Sequence, residues 1–156
     1  MPESGDETHA PALDAARRRR VELHDALVGA EEAISRPTPG REPDWAADAG
    51  KAFTHLRDAF DEHVRGTEEP GGLYDEVLER APQLAGKVGR LRDEHPRLQA
   101  DLSREIARLS EPVGEAFDAD AVRDDLQRVL GLVVRHRQHG ADLVWEAYNL
   151  DIGGAG

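Results

Sequence analysis

From Leu84 onward apolar residues return at steps of three or four: Leu84, Val88, Leu91, Leu98, Leu102, Ile106 and Leu109. That period is one face of an α-helix and excludes a strand, whose side chains alternate with period two. The face is interrupted by His95, which takes a core position of the same stripe. Similar stripes recur through the chain between segments rich in proline and glycine. Residues 11–35 carry Leu13, Ala16, Leu23, Leu27, Ala30 and Ile34 on one side and stop at RPTPGREP, residues 36–43. Asp44 is expected to cap a second helix with Ala49, Phe53, Leu56, Phe60 and His63 inward, interrupted at Gly66 and again at Pro70-Gly71-Gly72. A short continuation over 73–80 leads to Pro82, which suits the first turn of the third helix. The fourth helix is expected to start near Asp118 or Asp120 and to turn Val122, Leu126, Val129, Val133, His136, Gly140, Leu143 or Val144, and Ala147 inward. No segment alternates as a strand requires. The class is therefore all-α. Loops after each helix length favour an up-down-up-down antiparallel four-helix bundle over an extended two-helix coiled coil.

At 156 residues the chain is the size of one domain. Residues 1–10 are polar and acidic and are expected to be disordered, 11–150 to form the bundle, and 151–156 a flexible tail. With three Phe, two Tyr and two Trp, the core must be aliphatic and alanine-rich, which favours close helix packing. There is no cysteine, so any metal must be held by nitrogen and oxygen. A formal charge of −12 repels phosphate backbones, and the one basic run, Arg17 to Arg20, is too short to reverse that. No nucleic-acid partner is expected. The acidic start has no apolar signal core and no long apolar run follows, so neither a leader nor a membrane span is expected, and the protein is read as soluble and cytoplasmic.

Against this frame the histidines are unusual in position. His24 and His63 are 39 residues apart, and His95 and His136 are 41 apart. Each pair fits one helical hairpin, with one imidazole per helix aimed inward at a common level. A single histidine on an apolar stripe is ordinarily a core residue bonded to a carbonyl. Four at one level need partners or an ion, because each buried unpartnered imidazole costs about 1–3 kcal/mol. Imidazole is the commonest protein metal ligand, and bundle cores are where facing helices assemble metal sites. His139, three residues beyond His136, can reach the bundle edge and is a further candidate ligand. His55 is placed nearer the boundary, and His9 in the polar start is set aside.

Two metal ions would also need bridging carboxylates. Glu68 and Glu69 in HVRGTEEPGG are the candidates. Five residues is about 140° round an ideal helix, so Glu68 shares an ion with His63 only if the turn widens near Gly66. Otherwise both glutamates are solvated residues before a turn. On the fourth helix the position after His136 that would supply a second carboxylate is Gly140, and Asp142 and Glu146 point elsewhere.

These residues resemble the hemerythrin-like, or HHE cation-binding, family. The likeness rests on VELHDAL around His24, FDEHVRGTEEPGGLYDEVLERAPQL, LRDEHPRLQADL and HRQHGADLVWEAY, and covers about residues 20–148. It implies a bundle holding non-haem iron, often as a di-iron centre, that binds or senses dioxygen or another small diatomic ligand, or handles iron. By position it implies His24, His63, His95 and His136 as imidazole ligands and Glu68 as the bridging carboxylate. Three departures stand out: the spacing from His63 to Glu68 is one residue long, Gly140 replaces a carboxylate, and the third helix carries one histidine where oxygen carriers have two. The competing expectation is a metal-free interaction module on the same bundle. Its histidine layer would be satisfied by carboxylates such as Glu94 and Glu31, and Trp145 and Tyr148 would be the place for a partner or homodimer contact. No nucleophile, triad, phosphate loop or paired catalytic carboxylate appears, so no hydrolase or transferase is predicted.

Overall fold

Four long helices carry the structure: α1 (Ala10–Ser35), α2 (Glu42–Glu68), α4 (Ala85–Leu109) and α5 (Ala119–Gly154), with the short α3 (Leu73–Arg80) between the middle two. The computed structural model describes the backbone of residues 10–154 and the side chains of 13–149. The expected disordered start and tail therefore fall largely outside the described residues, although α1 begins at Ala10 and α5 reaches Gly154. No strand occurs among the described residues, and no helix there is long and apolar enough to cross a membrane. The chain is all-α. α1 packs chiefly on α2, α2 on α4, α4 on α5 and α5 back on α1, so the long helices close a helical bundle.

Helix boundaries follow local chemistry, with three corrections to the sequence expectation. Arg41, not Asp44, precedes α2. Pro43 sits in its first turn, where a missing N–H costs nothing, and Glu42 and Asp44 add charge favourable to the helix N-terminus. Gly66 does not interrupt α2, which runs to Glu68; its helix propensity cost is absorbed by burial at a close contact with α1. Pro82 opens not α4 itself but a 3₁₀ turn, Pro82–Leu84, that leads into it. The turn at Pro70-Gly71-Gly72 forms as expected. Gly71 takes φ +75°, a left-handed value that favours glycine, and its N–H donates to Asp75 Oδ2 at 2.8 Å. The following Gly72 lies so close to α2 that a Cβ there would meet the Gly66 carbonyl oxygen at 2.6 Å.

The apolar interior is divided in two. The larger cluster gathers Leu23, Leu27 and Ile34 of α1, Phe53, Leu56 and Phe60 of α2, Leu98 and Leu102 of α4, and Leu126, Val129 and Val133 of α5. The smaller one holds Tyr74 and Val77 of α3, Leu84, Val88 and Leu91 leading into and along α4, and Leu143 and Ala147 of α5. On α4 His95 falls between Leu91 of one cluster and Leu98 of the other, and on α5 His136 falls between Val133 and Leu143. A polar layer thus separates two dry cores.

Candidate metal centre

Three histidines meet in that layer. His63 of α2, His95 of α4 and His136 of α5 each offer a ring nitrogen lying within 4.8 Å of the other two. His95 and His136 are each 1% exposed, because each replaces an aliphatic residue on its helix stripe and cannot leave the interior without unwinding it. His63 lies at the α2 face and is half-buried. Phe60, one turn before His63 and fully buried, touches all three rings, with centroids at 5.5, 5.9 and 5.6 Å from His63, His95 and His136. It forms the floor of the site.

Glutamates close the outer side. Glu68 Oε2 is 3.1 Å from Nδ1 of His95, and Glu94 Oε2 is 3.3 Å from Nδ1 of His136. A carboxylate accepts, so the Nδ1–H of each ring donates outward and Nε2 carries the inward lone pair. The inward nitrogens are used as well. Tyr74 stacks on His95 at 5.8 Å between centroids, and its hydroxyl donates to His95 Nε2 at 3.2 Å. The Nε2 atoms of His63 and His136 are 3.1 Å apart, which fits one ring donating to the other. Both carboxylates sit on the arrangement that fixes tautomer and orientation in histidine metal sites.

Electrostatics keep the imidazoles neutral. Burial, aided by the neighbouring His136, His95 and Arg19, lowers the His63 pKa from 6.5 to about 3. His95 and His136 are also pushed down, chiefly by burial, although Glu68 and Glu94 oppose the shift. The Tyr74 hydroxyl is pushed up by burial and stays a phenol donor. Neutral imidazole is the form a cation needs, and an ion would take over the inward nitrogens that Tyr74 and the His63–His136 contact now occupy.

His24 does not join the layer. Its side chain is 53% exposed and lies 3.4 Å from Asp25. On a regular helix it is turned about 100° from Leu23, whose stripe faces the core, so its matching spacing in the chain did not become matching direction. Arg19 takes its place. It lies one turn before Leu23 and about 40° away, and its guanidinium presses against Gly66 of α2. There it approaches Glu69 at 3.8 Å. His139 is exposed and outside the cluster, as is His55. Glu68 does reach the site, but from the last residue of an unwidened α2 and onto the outer nitrogen of His95, not between two ions. Of the residues that complete the layer, Glu94 was one of the two carboxylates expected to satisfy the histidines and does so at His136, whereas Glu31, the other, is exposed on α1. Arg19 was legible only as an arginine at core spacing on α1, and Tyr74 carried no signal, since α3 brings it over His95 by tertiary packing.

Three imidazole nitrogens with outer carboxylates suit one transition-metal ion. At metal–nitrogen bonds of about 2.0–2.1 Å, two ligands of a tetrahedral ion sit roughly 3.3 Å apart, close to the His63–His136 separation. The residues do not fit two ions, because α1 supplies a cation in place of an imidazole and Gly140 supplies no bridging carboxylate. Comparisons with family models, with curated proteins and with solved structures return no match.

Proposed function

We propose that this protein is a metal-binding four-helix bundle in which His63, His95 and His136 hold a single divalent transition-metal ion. The convergence of three neutral rings, two of them steered by Glu68 and Glu94, carries this reading. Iron is the ion suggested by the hemerythrin-like resemblance, and its chemistry when bound is reversible electron donation to a small ligand such as dioxygen. The chain's own residues prepare the site. Glu68 and Glu94 would raise the basicity of the rings that hold an ion, Phe60 excludes water from below, and Tyr74 holds its phenol proton at His95 Nε2. The order of the cores along each helix supports an up-down-up-down antiparallel path. α4 passes from the smaller cluster to the larger and α5 returns, while α1 leaves the layer toward the larger cluster and α2 returns. A soluble cytoplasmic setting suits a cysteine-free iron protein.

The test is metal content of tag-free protein together with calorimetric titration of ferrous and zinc ions under anaerobic conditions. About one ion per chain is expected, with His95→Ala and His136→Ala abolishing binding, and stability rising by about 2.7 kcal/mol when free metal is a hundredfold above Kd. A second reading has its own observation. The Glu68–His95, Glu94–His136 and Tyr74–His95 hydrogen bonds satisfy the layer with no ion at all. A metal-free interaction module would bind no ion and melt at the same temperature with and without chelator.

A further inference from the structure

Beside His63, a cavity of about 230 Å³ lies between the first turns of α1 and the last turns of α5. Four arginines line it, Arg17, Arg19, Arg20 and Arg137, and no aspartate or glutamate does. That is a concentration of positive charge in a chain with 32 carboxylates against 20 Lys and Arg. Arg19 approaches Glu69 at 3.8 Å, while no carboxylate of the described residues pairs with Arg17, Arg20 or Arg137. The Nε of Arg137 is buried with no hydrogen-bond partner, a cost that a ligand oxygen would remove. The rest of the lining is largely apolar, and Trp145, 69% exposed, stands at the mouth.

The geometry points to a binding site for a medium-chain carboxylic acid, its carboxylate held by Arg19 and Arg137 and its tail lying against Leu143 and Trp145. Arginine matches a carboxylate with paired N–H donors, and the low-dielectric wall strengthens the pairing. A bare inorganic anion would leave the apolar wall wet, and a neutral apolar guest would leave the guanidiniums uncompensated. The space exceeds the roughly 150 Å³ that accepts a benzene ring in a dry core. Gly140 keeps it open, because a Cβ there would meet nothing within 4 Å. The inference rests on the cavity and its arginines and goes beyond whatever ion the histidines hold.

The full chain in chelator, titrated calorimetrically with decanoate, tests it, with Trp145 fluorescence as a second readout. Decanoate should bind saturably at one site, and acetate and decyltrimethylammonium at least tenfold more weakly. Arg137→Met should weaken decanoate about tenfold, and Gly140→Leu should abolish it by filling the cavity without lowering the melting temperature. Equal binding of decanoate and decyltrimethylammonium would overturn the proposal, as would full decanoate affinity in folded Gly140→Leu. Zinc titration of Gly140→Leu, expected unchanged, separates failure of this site from failure of the metal reading.

Discussion

Acidification should destabilise this bundle through His63, and the size of the effect follows from its surroundings. The folded state holds the ring neutral down to about pH 3, whereas the unfolded chain protonates it at its ordinary 6.5. Because the folded pKa is depressed, the contribution is complete above pH 6.5 and is lost as pH falls from there toward 3. Between pH 7.5 and 5.0 the loss from this one residue is about 2 kcal/mol, at 1.36 kcal/mol per pH unit once the unfolded ring is titrating. For a domain of this size that is about 4–8 °C in Tm. Other groups titrate in the same range, so the informative quantity is the difference between wild type and His63→Gln, which keeps an N–H for His136 and loses the titration. Urea unfolding followed by circular dichroism across the pH series, in chelator, gives both curves. The wild type should lose about 2 kcal/mol more than the variant over that interval. Parallel curves would show that His63 is protonated in the folded state and that the neutral layer is wrongly described.

Phe60→Ala should cost about 3–5 kcal/mol, because the ring is fully buried and forms the floor beneath all three imidazoles; chemical denaturation measures it, and a cost under 1 kcal/mol would mean the layer collapses onto the void. Arg123 of α5 donates from Nε to the Ile34 carbonyl at 2.7 Å and from Nη2 to the Arg36 carbonyl at 2.9 Å, satisfying the end of α1. Arg123→Met should therefore destabilise by about 1.5–3 kcal/mol, with hydrogen exchange at the last turn of α1 rising first. Gly71→Ala should cost about 1–2 kcal/mol from its left-handed backbone. Gly72→Ala should cost more, because its Cβ would be driven against the Gly66 and Glu69 carbonyls, and the order of the two melting temperatures checks this.

Helix class, helix number and the inward placement of His95 and His136 were legible in the chain because burial is periodic. A residue on an aliphatic stripe must go where the stripe goes. Spacing along the chain carried less than it suggested. His24 stands 39 residues before His63, nearly the 41 that separate His95 from His136, yet direction round a helix depends on the residue's angle to the stripe, and at about 100° from Leu23 it faces water. Helix contacts between elements far apart in sequence decided the rest. They set Arg19 against Gly66, swung Tyr74 onto His95, brought Glu68 to an outer nitrogen, and left the space beside Gly140 open to four arginines. Local propensity and patterning determine which faces are dry. Which polar groups meet across those faces is determined by how the helices pack, since each such contact joins residues whose own sequence neighbourhoods contain no trace of the other.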